Sequence, residues 1–301
     1  MNPAQHALQT AAWFNVLEQG FGARTAKIAP GLALTIFRIG PIRVAYANFP
    51  AGLRTAEACE AIRATESRRT MQSLHIDLLR YSVPESLAQG TSRMGVIALP
   101  ETCIHDLPNW TEDHLDGSVR YEIRRARREG TCIRPASPRD APILARLYRE
   151  TVLRRGGRPK YTSRYFEALC QLDAPSPGID VLIAEAPGHP PCGFLVAARD
   201  GMETYYLHAA HDHAQTNRRA SYALLSAAIT QARDEGCDRF NLMVSPAGQQ
   251  ALLRFKEKWG GETRPLLHID QPISLTGRMV CLGLGIRRRF ASLVPGSAHG
   301  D

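Results

Sequence analysis

The same order of elements is written twice along this chain of 301 residues. In the first half, LALTIFRI and IRVAYANF meet at Gly40-Pro41 and read as two strands of a hairpin. A helix follows over Thr55 to Gln72, with Ala58, Ala61 and Ile62 apolar. Then comes a strand, LHIDLLRYS, that stops at Ser82-Val83-Pro84. In the second half, DVLIAEA, CGFLVAARD and ETYYLHAA read as an antiparallel meander, with turns at Pro187-Gly188 and Asp200-Gly201. A helix from Arg219 to Glu235 carries Leu224, Leu225, Ala228, Ile229 and Ala232 on one face and ends before Gly236. The strand RFNLMVS then stops at Ser245-Pro246. Setting His75 against Arg239 gives an offset of about 164 residues. The architecture repeats while sequence identity between the two stretches is slight. The expected fold is therefore α/β (α+β), in two similar halves, each a mixed, mostly antiparallel sheet flanked by helices. The boundaries expected are 1–118, 119–275 and a basic tail over 276–301. A short helix is expected around Trp13 to Gln19, and Pro84 to Trp110 reads as mixed and turn-rich.

Charge separates the halves. Residues 1–118 carry 10 basic and 11 acidic side chains, whereas residues 119–301 carry 27 and 18, a net of +9. Such asymmetry points to an anionic partner for the second half, against the plainer reading of a solvated arginine-rich face. Two clusters concentrate the charge. SVRYEIRRARREG, Ser118 to Gly130, is a helix with Ser118 as N-cap and an apolar stripe of Val119, Ile123 and Ala126. Its Arg120, Arg124, Arg127 and Arg128 form a separate basic stripe suited to phosphate. LRRGGRPK places Arg154, Arg155, Arg158 and Lys160 around a Gly-Gly that reads as a mobile loop. The seven cysteines are scattered, odd in number and without a CxxC pair, as expected of reduced thiols in a cytoplasmic chain. No signal peptide is read at the N-terminus, and no apolar run approaches the roughly 20 residues of a membrane span.

Lysine is scarce: four residues against 33 arginines, and two of the four, Lys256 and Lys258, stand in LLRFKEKWGG between Phe255 and Trp259. With the arginine-rich helix and the meander–helix–strand that follows, this stretch resembles the FemAB-like transferases, tandem variants of the GNAT acetyltransferase fold. The resemblance runs over nearly the whole chain and is strongest from Arg120 to about Leu267; in the first half, GPIRVAYANFPAG matches best. It implies transfer of an acyl group onto an amine, with no metal or redox cofactor. In the peptidoglycan-bridge members the donor is an aminoacyl-tRNA and the acceptor a muropeptide precursor; more distant relatives use acyl-coenzyme A. It also implies a catalytic role for the lysine that follows the phenylalanine, here Lys256, with Phe255 packed beside it. An ammonium suits this role because it is compact and can exchange a proton, which guanidinium cannot. The opposing reading makes Lys256 an ordinary helix-surface lysine, with Phe255 and Trp259 as core.

The donor-binding stretch departs from the coenzyme A pattern. HDHAQTNRRASYALL has no glycine from His208 to Ser221, so the backbone cradle for a pyrophosphate is missing, while Gln215, Arg218 and Arg219 offer side chains. This favours aminoacyl-tRNA over acyl-coenzyme A as donor. His208, His211 and His213 read as polar lining of the cleft, with no fourth ligand at metal spacing. The expected substrate contacts are thus Phe255, Arg218, Arg219, Arg124, Arg128, Arg154, Arg155, His211 and Trp259, around a catalytic Lys256. Two alternatives stand beside the tRNA-dependent aminoacyltransferase. One is an acyl-coenzyme A enzyme acting on a small molecule or envelope sugar; the other is a nucleic-acid-binding module without turnover. The acceptor, the acyl group and the oligomeric state are not legible in the sequence.

Overall fold

The computed structural model describes residues 6–88, 95–172 and 178–283. The first half contains α1 (Ala11–Phe21), β1 (Arg24–Ala29), β2 (Leu32–Ile39), β3 (Ile42–Ala47), α2 (Ala56–Arg63), α3 (Thr65–Ser73), β4 (Leu78–Pro84) and β5 (Val96–Ile104). The second contains α4 (Gly117–Arg128), β6 (Cys132–Pro135), α5 (Ala141–Arg154), α6 (Ser163–Cys170), β7 (Ile179–Glu185), β8 (Gly193–Asp200), β9 (Glu203–His211), α7 (Ala220–Asp234), β10 (Arg239–Val244), α8 (Gln250–Glu257) and β11 (Glu262–Pro272). Helical residues 275–283 form α9. Of the expected basic tail, residues 284–301 lie outside the described residues.

The strands form one sheet in the order β1-β2-β3-β4-β11-β5-β10-β9-β8-β7-β6. Two neighbouring pairs run parallel: β3 with β4 through Val44↔Leu78, and β9 with β10 through Glu203↔Arg239. The repeat is therefore present in the backbone, each half carrying a hairpin, a helical crossover and a parallel strand. The centre of the sheet is an exchange. β5 follows β4 in the chain yet pairs with β10, and β11 follows β10 yet pairs with β4, while β5 and β11 pair with each other. Each parallel strand is thus bordered by a strand from the other half.

Several local expectations need correction. The helix expected over Thr55 to Gln72 is two helices, because Ala64 takes an extended ψ of 142° between α2 and α3. The strand expected from Leu74 begins at Leu78, since His75 adopts a left-handed φ of 56°. Helix α4 is capped by Asp116, whose carboxylate accepts the Ser118 N–H, rather than by Ser118. The stretch read as turn-rich contains β5, a nine-residue strand at the middle of the sheet. Its Pro100 lies opposite Pro265 of β11, so the two residues without an N–H share one gap in the ladder.

Apolar side chains cover both faces of the second-half sheet. One layer joins α1, α5 and α6 to β7, β8 and β9 through Trp13, Tyr165, Phe166, Phe194 and Tyr205. The opposite layer holds α4, α7 and Trp259. In the first half, α2 and α3 cover one face through Cys59, Ile62 and Met71 against Leu79, Tyr81 and Ile269.

Candidate active site

The geometry of the site begins where β9 and β10 part. Their parallel pairing lasts from Arg239↔Glu203 to Asn241↔Tyr205. Beyond it both strands bulge. On β9, Val196 of β8 faces His208 and Ala197 faces Tyr206, leaving Leu207 unopposed. On β10, Asn241 and Val244 face Cys103 and Glu101, one residue too many, and Met243 takes a φ of 62°. The Asn241 side chain fixes this kink: its Oδ1 accepts the Met243 N–H at 2.7 Å, and its Nδ2 donates to Glu203 Oε1 at 2.7 Å.

Lys256 reaches into the kink from α8. Its Nζ donates to Met243 O at 3.0 Å and Val244 O at 2.8 Å, and only 4% of the residue is exposed. An ammonium has three protons; among the described residues no side chain or carbonyl takes the third. Burial pushes its pKa down to about 8, opposed by the negative charge of Glu101. Phe255 turns away from this lysine, packing edge-on against Tyr222 of α7 with ring centroids 5.5 Å apart. Trp259 is fully buried beside Tyr222 and Phe255, which corrects its expected place as a substrate contact: its role is packing.

From Lys256 a polar strip crosses the centre of the sheet, on the face opposite α2 and α3. Arg54 grips Glu101 through both guanidinium nitrogens, at 2.8 and 2.7 Å, and lies 5.5 Å over the Tyr205 ring. Ser82 Oγ and His268 Nδ1 are 3.3 Å apart, on directly opposed residues of β4 and β11. Arg80 bonds Asp270 at 2.7 Å and Tyr46 at 3.2 Å. Two polar atoms here, His268 Nε2 and Ser245 Oγ, are buried and find no partner among the described residues. Burial lowers the His268 pKa, so its ring is neutral near pH 7. None of these residues was expected from the sequence. Glu101 and His268 come from β5 and β11, whose prolines hid both strands.

The expected donor contacts gather around the start of α7. There the chain forms a 3-10 turn, His213–Arg218, and Arg219 takes a left-handed φ of 53°. Loop amides are already committed: Ala214 N–H to Asp212 Oδ1, Gln215 N–H to Asp212 O, and Arg219 N–H to Thr216 O. Arg218 donates to Glu129 O at 2.7 Å, and Arg219 pairs with Glu122 at 2.8 Å, so both guanidinium groups tie α7 to α4. The sequence expects both as substrate contacts; here both are engaged within the protein. Arg124 and Arg128, by contrast, are exposed on α4, and Arg154 and Arg155 are exposed at the end of α5. His211 Nδ1 lies 3.0 Å from Ser221 Oγ, and its pKa is lowered by burial and by the charges of Arg154 and Arg155. Hence the basic groups of α4 and α5 flank the start of α7. His208 does not line a cleft as expected. It stacks on Tyr161 with centroids 4.7 Å apart, and burial drives its pKa to about 3.

Residues 117–257 match the family described as acetyltransferase (GNAT) domain. Among solved structures, FemX superposes with a TM-score of 0.67 at 12% identity, over 93% of this chain and 95% of its own. The C-terminal domain of a lysylphosphatidylglycerol synthetase from Agrobacterium fabrum gives 0.60 at 13% identity, over 97% and 95%. L-PGS from Bacillus licheniformis gives 0.58 at 16%, over 92% and 91%. Comparison with curated protein sequences finds no match. The fold is thus that of FemX over nearly the whole chain, with a GNAT-type domain in its second half. The stretch that matches the GNAT acetyltransferase domain contains the β9–β10 kink and Lys256.

Proposed function

We propose that this chain is an N-acyltransferase that moves an aminoacyl group from aminoacyl-tRNA onto an amine. The loop before α7 carries the reading. Its amides at Ala214, Gln215 and Arg219 are bonded within the loop, so they are not free to cradle the pyrophosphate of coenzyme A. On either side stand exposed guanidinium groups, Arg124 and Arg128 on α4 and Arg154 and Arg155 on α5, a spread of charge that fits a polynucleotide backbone. The resemblance to FemAB-like transferases points the same way.

In the reaction, the acceptor nitrogen attacks the ester carbonyl and the carbon–nitrogen bond forms. The carbon–oxygen bond then breaks, and the ribose hydroxyl leaves with the proton lost by the amine. Negative charge develops on the carbonyl oxygen in between. Lys256, held by two main-chain carbonyls, keeps one N–H for that oxygen. The Glu101–Arg54, Ser82–His268 and Arg80–Asp270 pairs offer the acceptor a polar floor.

The test is transfer from charged tRNA and from acyl-coenzyme A, side by side, with a labelled acyl group and a panel of amines. Label should move from charged tRNA, and ribonuclease pre-treatment of the donor should abolish transfer. Full activity with acyl-coenzyme A in the absence of tRNA would overturn the reading.

A further inference from the structure

The outward face of α4 carries an aromatic ring that the fold does not use. Val119, Ile123 and Ala126 are buried. At about 100° per residue, Tyr121, Arg124 and Arg128 stand at i, i+3 and i+7 on the opposite side of the helix, and all three are exposed. Tyr121 is 53% exposed, whereas every other described phenylalanine, tyrosine and tryptophan is buried or half-buried. The ring adds nothing to the helix itself, since an aromatic residue is a weaker helix former than alanine, leucine or lysine. The Arg128 guanidinium lies over it, 5.8 Å from the ring centroid. The helix has one acidic side chain, Glu122, and it faces Arg219 at 2.8 Å. The outward face is therefore an aromatic ring among guanidinium groups, with no carboxylate of the helix left to oppose an anion.

Arginine alone would serve any phosphate backbone, paired or unpaired. The ring narrows the choice. Bases in a duplex stack on one another, and their faces are closed to a side chain. Unpaired bases stack on aromatic rings and guanidinium planes while basic groups hold the phosphates beside them. Helix α4 also adjoins the candidate active site. Lys258 Nζ donates to Ser118 Oγ at 3.0 Å, so the first turn of α4 touches the end of α8, two residues from Lys256. Glu122 joins the middle of α4 to Arg219 at the start of α7.

We propose that Tyr121 is a stacking platform for unpaired nucleotides, with Arg124 and Arg128 holding the phosphates beside them. The inference rests on the reading of aminoacyl-tRNA as donor and deepens it: the nucleotides are those of the unpaired 3′ end, which carries the ester. Binding without turnover tests it, so it can fail separately from the donor reading.

The experiment is fluorescence anisotropy of the full chain with a labelled single-stranded oligoribonucleotide and with a blunt-ended RNA hairpin of the same length, across a range of salt. The single strand should bind more tightly than the hairpin. Tyr121→Ala should weaken single-strand binding by about fivefold or more, the loss of one stacked base, at unchanged melting temperature. Tyr121→Trp should keep the wild-type affinity. Because the ring is uncharged, neither variant should alter the slope of log affinity against log salt, which separates its role from that of the arginines. In competition, intact tRNA should displace the single strand better than tRNA trimmed of its unpaired 3′ nucleotides. Equal affinity for strand and hairpin, a Tyr121→Ala chain that binds the strand as wild type does, or equal competition by the two tRNAs would each overturn the inference. Ribonuclease-sensitive transfer, and with it the donor reading, would survive all three. A strand affinity that falls in Tyr121→Ala and returns in Tyr121→Trp upholds the stacking face whichever donor the transfer assay selects.

Discussion

Burying an ammonium is unfavourable unless its protons are taken up, and at Lys256 two main-chain carbonyls take two of them. Those carbonyls exist in that position because β10 bulges and Met243 turns left-handed, so lysine and kink stabilise each other. Lys256→Ala removes the cation and leaves two buried oxygens without a donor, each costing about 1–3 kcal/mol. Turnover should fall by on the order of 10²–10³-fold, and melting temperature should fall too, which thermal denaturation will register. Lys258 makes the control. It is exposed, donates to Ser118 Oγ at 3.0 Å and points toward the cap of α4, so Lys258→Ala should leave turnover within about twofold of wild type at a surface-mutation cost near 0.5 kcal/mol or less. A large loss at Lys258 would mean that the choice between the two lysines had been made wrongly.

Among the elements, α4 shows how a charged helix divides its labour. Val119, Ile123 and Ala126 are buried, as their spacing requires. Arg127 is engaged with Glu112 at 2.6 Å, whereas Arg124 and Arg128 face solvent. Arg124→Gln/Arg128→Gln should therefore leave folding intact and weaken tRNA binding. The slope of log affinity against log salt should become shallower by about one unit per lost phosphate contact. An unchanged slope would make these arginines solvated surface. The stripe itself was legible in sequence because period alone separates its faces. The engagement of Arg218 and Arg219 was not, since their partners Glu129 and Glu122 lie some ninety residues away in the chain. The same limit explains β5 and β11. Prolines in each argue against a central strand, and only the opposition of Pro100 to Pro265, a tertiary fact, removes the objection. Lys256 could be singled out from composition, but its partners could not, because the kink in β10 depends on Asn241 meeting Glu203 across the sheet.

For the whole molecule, the exchange of β5 and β11 decides how it unfolds. Neither half keeps its sheet without a strand from the other: β4 needs β11, and β10 needs β5. Calorimetry should accordingly give one transition, with calorimetric and van't Hoff enthalpies in agreement. Residues 1–118 produced alone should lack a cooperative melt. Two separate transitions would mean that the central strands do not couple the halves. The order of hairpin, helix and strand was readable twice over; the crossing of the centre was not, since a repeat in sequence does not reveal which half a strand joins.

The central claim, that Lys256 works as a buried cation in acyl transfer, is tested most directly by the pH dependence of turnover in wild type and Lys256→Arg. With a pKa lowered to about 8, Lys256 is charged at neutral pH and loses its proton as pH rises through that value. Deprotonation of the acceptor amine raises the rate with pH in both proteins. Wild type alone should also show a falling limb near pH 8, where the cation is lost. Lys256→Arg should be slower at neutral pH, because a planar guanidinium fits the two carbonyls poorly, but it should lack that limb, since guanidinium stays charged. A wild-type rate that climbs through pH 8 in parallel with the variant would contradict the account.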